Sequence, residues 1–221
     1  MKNTLLSLLF VLPFAFACTT EDASSEEASS EAPKTLVTEG AAPAVAFVEV
    51  TTSAGSFTLR LDGRAAPLTV AHFLKNVNSG FYTGTVFHRI IPGFMIQGGG
   101  YDEDFNLRET GETIPNESGN GLANWRGTVA MARTPEPHSA GTQFFINVVD
   151  NVNDNPQTAA LDPRKHPNTG GWGYAVFAYV VDGMDVVDLI AAYETEPNGP
   201  GGAPAPIIPV IIENMQRVSP E

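Results

Sequence analysis

Phe87-His88-Arg89-Ile90-Ile91-Pro92-Gly93-Phe94-Met95-Ile96-Gln97-Gly98-Gly99-Gly100 is the stretch that decides how the rest of the chain is read. Its apolar residues are those of a buried strand, yet Arg89 stands where Val or Ile would belong. A buried arginine is rare unless something pairs with it. Pro92-Gly93 supplies a turn, so the stretch divides into two short strands, with Phe94, Met95 and Gln97 after the turn. Three consecutive glycines then let the backbone pass close to whatever occupies the site. An apolar pocket with one fixed fork of donors on its wall suits a neutral, proline-like group beside a carbonyl. The competing reading is a core strand whose arginine reaches solvent along its own stem. These residues alone do not separate the two.

On the N-terminal side, residues 46–52 alternate and are rich in β-branched residues, which predicts a strand. Ser53-Ala54-Gly55 turns the chain, and Phe57, Leu59 and Leu61 share one face of the returning strand, giving a hairpin. Pro67 opens a helical pattern carried by Val70, Phe73, Leu74 and Val77 and stopped near Gly80. On the C-terminal side, residues 101–126 show little periodicity and read as a long loop of the kind that carries function. Within it, Asp102 to Asn106 weakly resembles a calcium loop. Leu107 stands where glycine is required and Thr113 where a closing glutamate belongs, so a solvated loop is expected. Strands follow at 127–132, 143–149 and 175–181. A helix over 183–193 has Met184, Val187, Leu189 and Ile190 as expected inner positions. A Gly/Pro connector over 197–206 leads to a last strand at 210–215. About eight strands and two helices predict a mainly β fold, a closed eight-stranded antiparallel barrel capped by two α-helices.

Twelve Lys and Arg against 25 Asp and Glu leave a net charge of −13, which disfavours a phosphate-binding surface and so nucleic acid. One cysteine excludes an internal disulfide framework and a multi-cysteine zinc site. That cysteine, Cys18, follows Lys2 and an apolar run from Leu5 to Ala17, too short to span a bilayer but suited to an export signal. Two cleavage readings compete: ordinary removal after Ala15-Phe16-Ala17, or a bacterial lipoprotein signal in which Cys18 takes the lipid. The acidic Ser/Ala/Glu-rich residues that follow form no core and act as an extended spacer, which favours the lipid anchor. Thr19 after the cysteine points to the outer membrane. The expected organisation is a signal peptide at 1–17, the anchor cysteine and tether at 18–43, and a folded domain at 44–221. The alternative location is the soluble periplasm.

In this order, FHRIIPGFMIQGGG, TVAMAR, TQFFINV and GYAVFAYVVDGMDVV resemble the cyclophilin-type peptidyl-prolyl cis-trans isomerases, their bacterial exported branch above all, across Phe47 to Val218. The resemblance implies that Arg89 is catalytic and that His88 beside it belongs to the site. It makes Phe94, Met95, Phe145 and Leu161 the walls of a proline pocket, and Gln97 the residue that holds Arg89 and the substrate backbone. Ala132 and Gln143 border the peptide groove. Arg133 occupies a position that the family uses mainly through its backbone, and Tyr174 replaces a pocket histidine. The loop around Leu161-Asp162 is longer than usual, with Ala160 where an aromatic belongs, so weak inhibition by cyclosporin is expected.

The implied activity is isomerisation of X–Pro bonds in exported proteins, without cofactor or metal, by a monomer whose partners are proline-containing polypeptides. Its only membrane attachment would be the anchor at Cys18. The alternative is a non-catalytic proline-peptide-binding chaperone module tethered to the membrane. Bond rotation needs no nucleophile. The chain has neither a GxSxG elbow nor HExxH, and His72, His88, His138 and His166 lack ligand spacing.

Overall fold

The alternation predicted for the first hairpin is present residue by residue. In the computed structural model, which describes residues 42–109, 111–152, 158, 161 and 171–219, β1 (Val45–Thr52) pairs with β2 (Gly55–Asp62) along its whole length. Val48 and Val50 of β1 and Phe57, Leu59 and Leu61 of β2 are buried, while the residues between them face outward. The export signal, Cys18, most of the tether, Ala160 and Asp162 lie outside the described residues.

Helix α1 (Pro67–Asn78) starts on its proline and buries Val70, Phe73, Leu74 and Val77, as its spacing predicts. Its N-cap, Ala66, has no side chain that could satisfy the first amides. Glu117, far along the chain in the long loop, takes that role. Its carboxylate accepts from Leu68 N at 3.1 Å, Thr69 N at 2.8 Å and Thr69 Oγ1 at 2.7 Å. The loop is thereby tied to the helix.

The remaining strands are β3 (Thr85–Val86), β4 (Arg89–Ile91), β5 (Met95–Gly98), β6 (Thr128–Met131), β7 (Phe144–Asn147), β8 (Val176–Asp182) and, at the end, β11 (Ile211–Val218). With the first hairpin they form one antiparallel sheet of nine strands in the order β3-β11-β1-β2-β8-β6-β7-β5-β4. This corrects the expected closed barrel of eight. Among the described residues the end strands β3 and β4 share no ladder. The backbone there bonds instead to the 204–210 segment, with Phe87 N donating to Val210 O at 3.0 Å and Ile90 N to Pro204 O at 2.9 Å. The segment predicted as a plain connector is also built. β9 (Thr195–Glu196) and β10 (Ala205–Pro206) form a two-stranded ribbon around a 3₁₀ turn at Pro200–Gly202.

Inside the curled sheet, Phe73 of α1 meets Phe144 edge-on at 5.7 Å and Phe177 at 5.0 Å, with Tyr82 and Phe87 packed on the same Phe144 ring. Helix α2 (Met184–Ala191) buries Val187, Ile190 and Ala191. Leu189, an expected inner residue, is 51% exposed, since a helix that faces inward at 187 and 190 turns 189 away.

Candidate active site

Cross-strand register places the site. Arg89 pairs with Gln97, Gln97 with Phe145, Phe145 with Ala130, and Ala130 with Val176, forming one row across β4, β5, β7, β6 and β8. Paired residues point to the same face. One residue along β4, β5, β7 and β6, and two along β8 where its register with β6 shifts, Ile90, Ile96, Ile146, Val129 and Ala178 form a parallel row that points into the main core. The apolar members of the first row join Met95 and Leu161 in a second, smaller cluster on the other face of the sheet. Arg89 therefore occupies a strand position without entering the core, because two-residue alternation sends it outward.

That face carries a hollow of about 460 Å³. Arg89 lines it together with Phe94, Met95, Phe145 and Leu161, the predicted walls, and with Gln97. Ala132, Arg133 and Tyr174 complete the predicted part of the rim. Tyr174 meets Phe145 edge-on at 5.6 Å, fixing two aromatic walls against each other. A second hollow of about 260 Å³ shares Gln97, Ala132 and Arg133 with the first and adds Gln143 and residues of the 139–142 turn, so the two adjoin across these shared residues. Ala132 stands between them, its N–H donating to the Gln143 carbonyl at 2.9 Å.

Arg89 is half-buried and donates from Nη1 to Gln97 Oε1 at 3.2 Å; Gln97 Nε2 donates in turn to Gln143 Oε1 at 3.0 Å. Among the described residues no carboxylate ion-pairs with Arg89. Burial pulls its pKa below the ordinary arginine value, with Tyr174 acting the other way. It stays charged at neutral pH. The result is a partly dehydrated cation held in orientation by a neutral amide, with donor capacity directed at the hollow. The three glycines serve a different purpose from the predicted one. A Cβ at Gly98 would meet the Phe87 ring at 3.0 Å, and one at Gly100 would collide with the Gln143 side chain. They make room for the protein's own side chains, including the glutamine that ends the relay.

His88 does not reach either hollow. It is 3% exposed, packs edge-on against Tyr101 at 4.6 Å, and its Nδ1 has no partner among the described residues. Burial holds its pKa down at about 4, against smaller raising effects from the Val86 backbone and Gln143. It is a neutral buttress behind the wall, which corrects its expected place among the substrate contacts. Arg133 lines both hollows, and its side chain is bonded to carbonyls of its own chain. Nε donates to Gly173 O at 2.9 Å, Nη2 to Trp172 O at 2.8 Å, and Nη1 to the carbonyls of Thr134 and Pro135.

Two lining residues have no counterpart in the sequence reading, Pro200 and Ala203, both in the turn between β9 and β10. The chain signal was present as Gly199-Pro200-Gly201-Gly202, but a Gly/Pro run reads equally well as a linker. The weak calcium-loop resemblance dissolves: Asp102 Oδ1 accepts from the backbone of Asp104 and Asn106, and no acidic or histidine cluster suited to a metal occurs among the described residues.

Comparison with known proteins agrees with this geometry. The family model described as cyclophilin type peptidyl-prolyl cis-trans isomerase/CLD matches residues 47–217. Peptidyl-prolyl cis-trans isomerase A of Dickeya dadantii is 48% identical over 178 residues, covering 80% of this chain and 87% of its own. Peptidyl-prolyl cis-trans isomerase B of Escherichia coli is 51% identical over 148 residues, covering 67% of this chain and 85% of its own. A crystal structure of a cyclophilin type isomerase from Cryptosporidium parvum, in the presence of the dipeptide Ala-Pro, superposes with a TM-score of 0.58 at 25% identity, covering 79% of this chain and 99% of that one. The chain belongs to the cyclophilin-type peptidyl-prolyl cis-trans isomerases and has their activity.

Proposed function

We propose that this isomerase seats the proline ring of an X–Pro segment in the hollow walled by Phe94, Met95, Phe145 and Leu161, with Arg89 acting on the prolyl nitrogen. Amide resonance gives X–Pro rotation a barrier of about 18–20 kcal/mol, while the isomers themselves differ by only about 0.5–1 kcal/mol. As the bond twists, the nitrogen becomes pyramidal and gains a lone pair. A guanidinium beside it donates more strongly to that lone pair than to the planar amide, so the twisted state is bound better than either ground state. The observation that carries this reading is Arg89 on the wall of an apolar hollow, oriented by Gln97 and unpaired with any described carboxylate.

The clients are exported polypeptides whose folding waits on proline isomers for tens to hundreds of seconds. The enzyme works outside the cytoplasm, lipid-anchored through Cys18 and tethered by the acidic spacer, with the outer membrane as its place. This rests on the apolar run before Cys18 and the acidic, non-periodic residues after it. The reading takes the enzyme to work as a monomer. The test is twofold. The folded domain should accelerate cis-to-trans conversion of a short X–Pro peptide, and the mature protein should carry a diacylglycerol-sized mass increment at Cys18. Binding of the peptide without acceleration would favour the chaperone reading.

A further inference from the structure

We infer that the Arg133 side chain is a positioning residue. It holds Tyr174 against Phe145 and so sets how tightly the hollow closes on its occupant, without touching that occupant through its charge. The inference rests on reading the hollow as the proline seat.

Arg133 leaves the end of β6 at the junction of the two hollows, where an unattached cation would face any bound peptide. Its fork is instead spent on the chain's own carbonyls, Gly173 and Trp172 on one side and Thr134 and Pro135 on the other. The guanidinium carbon lies 4.7 Å from the centre of the Tyr174 ring, a stacked cation–π contact. The same tyrosine ring meets Phe145 at 5.6 Å between centroids and an interplanar angle of 78°. Arg133, Tyr174 and Phe145 thus form a strut: the guanidinium plane braces the tyrosine, and the tyrosine braces the aromatic wall. Lysine cannot substitute in full, since it could keep a charge near the ring but has no fork to reach two successive carbonyls.

The strut is separable from the fold. Gly173 is pinned independently, because its carbonyl also accepts from Asn116 Nδ2 at 3.0 Å and its N–H donates to Ser118 Oγ at 3.0 Å. Loss of the guanidinium therefore leaves the 172–174 segment in place while freeing the tyrosine ring.

The test is a double-mutant cycle on the folded domain, with kcat and KM measured separately on an X–Pro peptide. Arg133→Met should raise KM by roughly threefold to tenfold with kcat nearly unchanged, the range expected for a partly buried cation–π brace. Tyr174→Ala should raise KM at least as much, and adding Arg133→Met to it should change nothing further. Arg133→Lys should also raise KM, and it serves in place of Arg133→Met if the methionine variant does not fold. Additive effects in the double variant, wild-type KM in the lysine variant, or a KM whose salt dependence on an acidic peptide changes with Arg133→Met would each make Arg133 a direct contact and overturn the inference. If Tyr174→Ala leaves KM unchanged, it is the assignment of the hollow as proline seat that fails.

Discussion

Replacing Glu117 by alanine tests how the long loop is built into the molecule. The side chain accepts from two backbone amides in the first turn of α1 and from the hydroxyl of Thr69, a residue with no solvent exposure. Loss of an N-capping group costs about 0.5–2 kcal/mol, and removal of a carboxylate from the positive end of the helix adds about 0.3–1 kcal/mol. A buried hydroxyl left without its partner costs a further 1–3 kcal/mol or so. These contributions overlap, so the combined loss is about 2–4 kcal/mol. For a domain of this size, about 2–4 °C of Tm per kcal/mol converts that into roughly 4–16 °C. Glu117→Gln keeps an acceptor but removes the charge, and should fall between wild type and the alanine variant. Thermal unfolding followed by circular dichroism reads the series. Glu117→Ala melting within about 1 °C of wild type would refute the cap as a stabilising contact. The neighbours of Glu117 widen the consequence: Asn116 and Ser118 both bond Gly173, next to the lining residue Tyr174, so three successive residues bridge helix and site.

His88 supplies an acid-dependent expectation. Its folded pKa of about 4 lies below the usual 6.5, so between those values the unfolded chain binds a proton that the folded one refuses. Stability is complete above pH 6.5 and falls by about 3 kcal/mol as the pH drops towards 4, a slope that His88→Gln should flatten in urea titrations. An unchanged slope in that variant would assign the acid sensitivity elsewhere. Phe145→Ala removes a side chain that is 4% exposed, from the smaller cluster, and should cost about 3 kcal/mol, the low end for such truncations because the hollow admits water. The same variant should weaken peptide binding, and an unchanged KM would separate Phe145 from the substrate. Mass measurement of the mature N-terminus should find lipid on Cys18; an unmodified cysteine, or a chain beginning after it, would contradict the anchor.

Much of this architecture could be read from the chain, and what escaped has physical causes. Hairpin β1–β2 and helix α1 announced themselves through long runs of period two and period 3.6. The Arg89 stretch was legible because a cation in an apolar strand is costly enough to demand a reason. Thr85–Val86 could not be seen as a strand, since two residues carry no period and their partners, Ile211 and Ile212, lie far away in sequence. Pro200 and Ala203 were hidden by a Gly/Pro composition that suits a linker and a tight built turn equally. The partners of Glu117 in α1 and those of Arg133 at Trp172 and Gly173 lie 39–49 residues away and depend on side-chain geometry, so neither pattern nor propensity could announce them. His88 was misplaced because adjacency to Arg89 in the chain does not say where a side chain goes: His88 lies just before β4 and packs against Tyr101 instead of lining the hollow.

The central claim is that the Arg89 guanidinium favours the twisted prolyl bond. Its most direct test is kcat/KM of Arg89→Ala on a short X–Pro peptide, with peptide affinity and thermal stability measured on the same preparation. Removal of one preorganised donor should lower kcat/KM by about 10²–10³-fold while affinity and Tm stay near wild type. A folded Arg89→Ala enzyme with wild-type kcat/KM would contradict the mechanism.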